Sequence, residues 1–216
     1  MERHIVKRTH RIIVTEELIR ENAVEPVLEI GAGDYSFRYL MAGDEAKWLT
    51  VDFSPPCDVQ VNLNDEKLKL PFESSSLTTV VCTEVLEHLL WPQQLVSEVY
   101  RILAPGGKFV LSVPNCVSLS YRVAWMLGRL PSCASGGNLP PELGSTAYRK
   151  PNGEIIGGHV VDFNCSRMVG LLNGAGFEVE KMRGSGIIWH RQILPYWMVP
   201  ASFASNIICL AVKSRK

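Results

Sequence analysis

The sequence predicts an α/β fold built on a doubly wound, mostly parallel sheet. Short apolar runs alternate along the chain with segments of helical spacing, and this alternation is typical of α/β proteins. The runs are continuously apolar, as expected for strands that are buried on both faces of a parallel sheet. Ligands of such sheets bind outside the carboxyl ends of the strands, so the residues that follow each run are the first candidates for a site.

Apolar runs that stop at a glycine, a proline or a polar residue are predicted to be the strands. The first run stops at Gly31 and the second at Asp52, whereas the third run is weak. The predicted strands are residues 27–30, 48–51, 59–63, 77–82, 109–113, 177–179 and 207–212.

Three segments are predicted to be helical. Thr15 precedes an acidic pair that is typical of a first helical turn, and Pro26 follows the segment. Residues 92–103 carry apolar side chains at helical spacing, with a proline at the start and a Pro-Gly-Gly turn after the end. Residues 167–174 are the third predicted helix.

The chain length of 216 residues favours a single domain, residues 1–216. Residues 1–11 are basic and unpatterned, as in a tail or a covering strand. The Gly- and Pro-rich segment 131–158 is predicted to be an insertion or a lid within the domain, and an insertion without a role is the alternative.

The charges are balanced, with 22 basic and 22 acidic side chains. This balance argues against a general nucleic-acid-binding protein, which needs clustered Lys and Arg. The sequence has no run of about 20 apolar residues, so we expect no membrane-spanning helix. Because the six cysteines lack the paired spacing of zinc sites and no secretory signal is visible, we expect reduced thiols and a cytoplasmic protein.

The residues best suited to binding chemistry follow the first two predicted strands. Glu29 lies near the end of the first, and residues 31–33 (Gly-Ala-Gly) form a turn that exposes backbone N–H groups. Asp52 ends the second, where a carboxylate can accept hydrogen bonds from both hydroxyls of a ribose. Together they favour a nucleoside with a positively charged, amino-acid-like end, as in S-adenosylmethionine. Ser36 breaks the dinucleotide fingerprint and disfavours a nicotinamide-dependent oxidoreductase.

Six ordered motifs carry a resemblance to a known family. They are residues 29–33, 52, 62–63 with 70–72, 84–89, 101–107 and 112–115. In this order they resemble the class I S-adenosylmethionine-dependent methyltransferases of the small-molecule (methyltransferase type 11-like) group. The resemblance implies a methyltransferase with S-adenosyl-L-methionine as cofactor, and a seven-stranded Rossmann-like sheet with an antiparallel edge strand.

The resemblance also implies roles for individual residues. The turn 31–33 would pass under the methionine part of the cofactor, with Glu29 near its ammonium. Asp52 would bind the ribose, and Phe53 could lie against the adenine. The family often has a further glycine where this chain has Tyr35, and a Tyr35 side chain turned into the cleft would block the cofactor. The cofactor-binding residues implied in this way are Glu29, Gly31, Ala32, Gly33, Asp52, Phe53, Asn62, Leu63, Thr83 and Glu84.

His88 and His159 are the candidate catalytic residues. Methyl transfer depends mainly on positioning, and a hydroxyl acceptor also benefits from a general base. His88 follows the fourth predicted strand, and His159 follows the glycine-rich segment, so both could reach one cleft; a structural role is the alternative for each. We expect transfer to oxygen on a small-molecule, glycan or lipid-precursor acceptor.

Two other functions remain as alternatives. If residues 84–89 are helical, Glu84, Glu87 and His88 share one face, and with His159 they are similar to the metal site of methyltransferases that modify the 2′-hydroxyl at the 3′ end of small RNAs. The balanced charge disfavours RNA as the substrate, and no metal site is predicted. The second alternative is a catalytically silent, cofactor-binding partner protein.

The acceptor side of the protein carries unusually apolar and aromatic segments at 117–130 and 187–200. Packing onto the sheet or a dimer contact explains them most simply. A hydrophobic substrate pocket, or a peripheral membrane contact through 187–200, is the alternative because Trp, Tyr and Arg suit a membrane interface.

Overall fold

The computed structural model describes residues 9–33, 35–41, 47–130, 134, 139–140, 146–149, 155–189, 191–192, 194 and 196–215. The helices are α1 (His10–Asn22), α2 (Pro92–Ile102), α3 (Leu119–Met126) and α4 (Cys165–Gly174). The strands are β1 (Val27–Ile30), β2 (Trp48–Asp52), β3 (Val59–Gln60), β4 (Leu77–Thr83), β5 (Leu103–Pro114), β6 (Tyr148–Arg149), β7 (Ile155–Ile156), β8 (Phe177–Gly184), β9 (Ile188–Trp189), β10 (Arg191–Gln192) and β11 (Asn206–Lys213).

Seven of these strands form one sheet in the order β3-β2-β1-β4-β5-β11-β8. Each pair from β3 to β5 is parallel, whereas β11 runs antiparallel to both of its neighbours, β5 and β8. The short strands form two separate hairpins, β6 with β7 and β9 with β10. The predicted fold is therefore confirmed, and the reversed strand lies one place in from the edge.

Helices cover both faces of the sheet, and the alternation along each strand decides which helices a side chain meets. Leu28 and Ile30 of β1 belong to a core cluster with residues of α2 and α4, whereas Val27 belongs to a cluster with residues of α1. Successive side chains of a strand point to opposite faces, so one continuously apolar strand serves two layers. The carboxyl ends of β1, β2 and β4 meet at one edge, where the candidate site lies.

Several predicted boundaries are wrong. Helix α1 begins at His10 and not near Thr15, because Ile12 and Val14 are already buried in the core. The expected tail at residues 1–11 therefore overlaps α1, and residues 1–8 lie outside the described residues. Strand β3 is only two residues long, and β8 extends from Phe177 to Gly184. Helix α3 was not predicted; it buries none of its residues, so it shows no core-facing stripe.

Other predictions concern segments that the structure describes only in part. Most of the insertion or lid at 131–158 lies outside the described residues, so it stays a prediction, as does the single domain over 1–216. The described cysteines are all free thiols, and Cys133 lies outside the described residues. Within the described part of the chain, the search for a helix that is long and apolar enough to cross a membrane finds none.

Candidate active site

A cleft of about 440 Å³ opens at the carboxyl ends of β1, β2 and β4. This volume is within the range of about 300–1,000 Å³ that is usual for ligand pockets. Seven of the ten predicted cofactor-binding residues line the cleft, and so does the candidate catalytic residue His88. The lining residues are Gly31, Gly33, Asp52, Phe53, Asn62, Leu63, Asn64, Glu84, Val85, His88, Leu89 and Gly157.

The glycine turn after β1 approaches the segment after β4 more closely than a side chain would allow. Gly31 has a φ of +74°, and a Cβ built on it would lie 2.2 Å from Cγ2 of Val85. The N–H of Gly31 donates to the carbonyl of Val51 at 2.8 Å, which anchors the turn to β2. The missing side chain therefore keeps the backbone open to a ligand at this edge.

Asp52 joins the glycine turn to the segment that follows β2. Its carboxylate is buried and accepts hydrogen bonds from the N–H groups of Gly33 at 3.1 Å, Phe53 at 2.7 Å and Ser54 at 3.3 Å. These bonds fix the carboxylate at the cleft wall. Its two oxygens have capacity for further hydrogen bonds, which is what a pair of neighbouring hydroxyls would need.

Glu29 lies beneath the glycine turn and not on the cleft wall. Its carboxylate accepts hydrogen bonds from the N–H of Phe37 at 3.0 Å, from Nε1 of Trp48 at 2.9 Å and from the hydroxyl of Ser36. Burial raises the pKa of Glu29, and these hydrogen bonds oppose the rise. Glu29 lines neither of the two described cavities, so the structure gives it the position of an anchor for the turn.

A second cavity of about 290 Å³ adjoins the cleft and shares Gly31 and Glu84 with it. It contains Ala32 and Thr83, two of the three predicted cofactor-binding residues that are absent from the larger cleft. It also contains residues of α1 that sequence reasoning missed. Its lining residues are Arg11, Ile12, Thr15, Gly31, Ala32, Tyr35, Phe37, Thr83 and Glu84.

Glu84 lies at the junction of the two cavities and is held there from three sides. Its carboxylate pairs with Nη1 of Arg11 at 3.0 Å and accepts hydrogen bonds from Oγ of Ser112 at 2.9 Å and Nδ2 of Asn206 at 3.1 Å. Its φ of 55° is left-handed, a strained conformation for a non-glycine residue and one that clusters at functional sites. Because residues 1–11 were interpreted as a tail, Arg11 was not recognised as part of the site.

Tyr35 does not block the larger cleft. Its hydroxyl hydrogen-bonds with that of Tyr39 and lies 3.4 Å from Oε1 of Glu16, and its ring packs edge-on against Phe37. The side chain therefore points toward α1 and lines the smaller cavity. The departure from the glycine that the family often has at this position is accommodated in this way.

His88 and His159 come together beside the cleft, with ring centroids 4.9 Å apart. The N–H groups of Val160 and Val161 donate to the carbonyl of Glu87, at 2.8 Å and 3.1 Å, which brings the chain after His159 against the segment after β4. Burial, and then the neighbouring His159, lower the pKa of His88, whereas backbone hydrogen bonds to Gly158 and Gly157 raise it. The two histidines therefore form one cluster, and their catalytic role stays a prediction.

Glu87 completes this cluster, and Glu84 does not belong to it. The segment Leu86–His88 is a 3-10 turn, so the helical face that would have joined Glu84 to Glu87 and His88 does not form. Oε1 of Glu87 lies 4.0 Å from Nε2 of His88. Burial, and then the nearby Glu84, raise the pKa of Glu87 well above its usual range.

The turn after β3 is tied to the same wall. Oδ1 of Asn64 accepts from the N–H of Leu90 at 2.7 Å, and its Nδ2 lies 3.5 Å from the carbonyl of His88. Asn62 accepts from the N–H of Asn64 at 3.0 Å. Asn64 was missed because one Asn in a polar turn is no signal by itself, although Asn62 and Leu63 were predicted.

Comparison with known proteins decides what kind of domain surrounds this cleft. The family model described as a methyltransferase domain matches residues 28–111, from β1 to β5. This segment is therefore similar to a methyltransferase domain, and the match covers less than half of the chain. The match contains the glycine turn, Asp52, Glu84 and His88. It confirms the resemblance that the ordered motifs predicted, and at the level of the family it supports S-adenosylmethionine as the cofactor.

A curated relative extends the similarity beyond residues 28–111. The chain is 26% identical over 185 residues to a probable S-adenosylmethionine-dependent methyltransferase of Mycolicibacterium smegmatis. The match covers 82% of this chain but 61% of that relative, so the chain spans less than two thirds of its length.

Solved structures share the fold at low sequence identity. A putative methyltransferase of Haloferax volcanii, solved with a methyltransferase activator, is similar with a TM-score of 0.58 and 16% identity, over 96% of this chain and 90% of that one. A Burkholderia thailandensis N1-methyltransferase with bound 1,6-didemethyltoxoflavin and S-adenosylhomocysteine is similar with a TM-score of 0.52 and 15% identity, over 93% and 77%.

Proposed function

We propose that this chain is an S-adenosylmethionine-dependent methyltransferase. The observation that carries the proposal is the pair of joined cavities at the carboxyl ends of β1, β2 and β4. The larger one has Asp52 fixed on its wall, and the smaller one is lined by the ion pair of Arg11 and Glu84. The family match over residues 28–111 supports the same activity.

The residues fit the two ends of this cofactor. Asp52 offers two carboxylate oxygens to the ribose hydroxyls, and Phe53, Asn62 and Leu63 line the same cleft as contacts for the adenine. In the smaller cavity, Arg11 offers a guanidinium that matches a carboxylate. Glu84 at the junction offers the opposite charge to the ammonium. Bound there, the cofactor supplies an electrophilic methyl group on sulfur.

His88 and His159 are the proposed catalytic residues. His88 lines the cleft, and its imidazole contacts that of His159. Its lowered pKa keeps the ring neutral at physiological pH, which is the form able to accept a proton from an acceptor hydroxyl. Glu29 acts at a distance by holding the turn that passes under the methionine end, so it is a positioning residue.

We propose a small-molecule, glycan or lipid-precursor acceptor that is methylated at oxygen. The balance of 22 basic and 22 acidic side chains supports this class over RNA. Apolar side chains are exposed at Trp125 and Met126 of α3, and at Trp197 and Met198 within the apolar segment 187–200. They support an apolar acceptor or a peripheral membrane contact. The free thiols support action in the cytoplasm.

Calorimetry tests the cofactor assignment. We expect the protein to bind S-adenosylmethionine and S-adenosylhomocysteine but not NADH. Hydrogen bonds to a charged group contribute about 1.5–3 kcal/mol each, so Asp52→Asn should weaken S-adenosylhomocysteine binding by about tenfold or more. Asp65→Asn is the matched control, because Asp65 is exposed, accepts from the N–H of Lys67 and is not among the residues that line the cleft. Equal affinity in both variants contradicts the ribose assignment.

Turnover is tested separately by mass spectrometry of a cell extract incubated with the protein and S-adenosylmethionine. A metabolite that gains the mass of one methylene group identifies the acceptor. Cofactor binding without any such product supports the alternative of a catalytically silent partner. Once the acceptor is known, His88→Ala and His159→Ala should each slow turnover, and full activity in both variants removes the proposed general base.

A further inference from the structure

Helix α3 and the residues that precede β11 expose large apolar side chains. None of the residues of α3 is buried, Trp125 is exposed, and Met126 is 86% exposed. Before β11, Trp197 is 73% exposed and Met198 is exposed as well. Exposed apolar side chains that lie close together usually mark an interaction site. Helix α3 and residues 196–203 are called the apolar surface below.

Direct contacts hold the two parts of the apolar surface together. The N–H of Leu119, the first residue of α3, donates to the carbonyl of Phe203 at 2.9 Å. Nη2 of Arg122 donates to the carbonyl of Ser202 at 3.2 Å, and the guanidinium of Arg122 lies 4.7 Å from the centre of the Phe203 ring. Helix α3 and the residues before β11 are therefore joined into one surface.

The apolar surface lies at the same edge of the sheet as the candidate active site. Strand β5 is parallel to β4 and ends at Pro114, shortly before α3 begins. Strand β11 is antiparallel to β5, so it begins at this edge, and Nδ2 of its first residue, Asn206, donates to the carboxylate of Glu84 at 3.1 Å. A partner bound to the apolar surface would therefore lie near the two cavities.

The segments that form the apolar surface belong to two stretches of sequence without any acidic residue. All 22 acidic residues of the chain lie outside residues 99–141 and 181–216, whereas both stretches contain Lys and Arg. Arg122 of α3 and Arg129, which follows α3, are both exposed. The chain as a whole is neutral, so its charges are distributed unevenly. This distribution favours a partner that offers negative charge beside an apolar layer.

An anionic lipid bilayer has both properties. Tryptophan rings suit the headgroup region of a bilayer, and apolar side chains beside them bury at the boundary with the acyl chains. Arginine binds phosphate with several hydrogen bonds. A second copy of this chain fits less well, because a twofold dimer pairs a surface with itself. Such a dimer would bring Arg122 and Arg129 close to their own copies, without an acidic residue from the same segments to pair with them.

We propose that the apolar surface binds to an anionic lipid bilayer, with its exposed Trp and Met side chains at the boundary between headgroups and acyl chains and with Arg129 near the lipid phosphates. This proposal rests on the proposed function for its consequence and deepens it there, because the acceptor would be a lipid or a lipid-linked molecule held in that bilayer. Binding to the bilayer itself needs no cofactor, so the two proposals can fail separately.

The test measures binding of the full chain to lipid vesicles by sedimentation. We expect binding to vesicles of phosphatidylcholine mixed with phosphatidylglycerol, about tenfold weaker binding to phosphatidylcholine alone, and weaker binding as salt is added. Met126→Glu and Trp197→Glu should each weaken binding to the mixed vesicles by about tenfold or more, because each removes an inserted apolar side chain and adds a negative charge. Arg129→Gln should weaken it by about fivefold.

Val24→Glu is the matched control. Val24 is 57% exposed and precedes β1, so it lies at the opposite edge of the sheet from the cavities. This variant makes the same change of an exposed apolar side chain to a carboxylate and should bind the mixed vesicles as the wild type does. All of the replaced side chains are exposed, so we expect the variants to keep the Tm of the wild type.

Absence of vesicle binding overturns the proposal, and so does an equal loss of binding in Val24→Glu and in the two variants of the apolar surface. Equal binding to both kinds of vesicle contradicts the role of the arginines. A dimer that Met126→Glu dissociates, without vesicle binding, identifies a second copy as the occupant and also overturns the proposal. S-adenosylhomocysteine binding is measured in parallel by calorimetry. If it binds and vesicles do not, the membrane surface fails and the proposed function stands; if only vesicles bind, the proposed function fails.

Discussion

Gly31 allows the sharpest test of the glycine turn, because two separate costs meet at this residue. Its φ of +74° is left-handed, and a Cβ in that conformation costs roughly 1–2 kcal/mol. The same Cβ would lie 2.2 Å from Cγ2 of Val85, and overpacking of a dense core typically costs about 1–3 kcal/mol. Gly31→Ala should therefore lower the free energy of unfolding by about 2–5 kcal/mol.

Gly33→Ala is the matched control for the backbone cost alone. Gly33 has a φ of +50°, and no heavy atom lies within 4 Å of a Cβ built on it. Its loss should be about 1–2 kcal/mol, so the difference between the two variants isolates the contact with Val85. Urea unfolding followed by tryptophan fluorescence gives both free energies by linear extrapolation.

The double variant decides whether the clash is the real cause. Val85→Ala removes Cγ2, so Gly31→Ala should cost about 1–3 kcal/mol less in that background than in the wild type. The reasoning is refuted if Gly31→Ala and Gly33→Ala are equally stable, or if the Gly31→Ala and Val85→Ala losses simply add.

Three further predictions concern charge and burial. Arg11→Ala should weaken S-adenosylhomocysteine binding, and it should change the free energy of unfolding by less than about 1 kcal/mol because the ion pair with Glu84 is partly exposed. Arg20→Ala, on the exposed side of α1, is the control. Unchanged affinity in Arg11→Ala contradicts the role of Arg11. Burial raises the pKa of Glu29, so the folded state holds that proton more tightly than the unfolded chain. The free energy of unfolding of the wild type should accordingly fall as pH rises from the ordinary carboxyl range through the raised pKa. Urea unfolding at several pH values measures this fall, and an equally steep fall in Glu29→Gln argues against Glu29 as its cause. Burial raises the pKa of the Cys209 thiol to about 12 and raises that of Cys82 as well, so both thiols should be alkylated only after unfolding. Peptide mapping of the alkylated protein checks this, and labelling of either thiol in the folded protein counts against their burial in the sheet.

The sheet could be predicted because its strands are buried on both faces. The run 207–212 is continuously apolar because successive side chains of the strand meet opposite helix layers, and that pattern is visible in one sequence. Helix α3 could not be predicted because none of its residues is buried. The start of α1 was missed because its basic residues mask the apolar positions Ile12 and Val14.

Backbone-defined parts of the site were predictable, and long-range contacts were not. The turn 31–33 and Asp52 end strands, and strand ends of a parallel sheet meet at one edge, so their meeting follows from the topology. Arg11 reaches Glu84 only through the packing of α1, which no local pattern reports. The sequence grouped Glu84 and Glu87 with His88 and His159 on the basis of a helical face, whereas the actual 3-10 turn leaves Glu84 outside the cluster of the other three.

The position of β11 has a consequence for synthesis of the protein. The strand inserts between β5 and β8, and its first residue, Asn206, holds the carboxylate of Glu84 across 122 residues of chain. A nascent chain that has emerged from the ribosome only as far as β8 has no partner for that strand and leaves Glu84 without this contact. Competence to bind the methyl donor should therefore arise only after β11 has emerged, and not grow gradually as each βα unit appears.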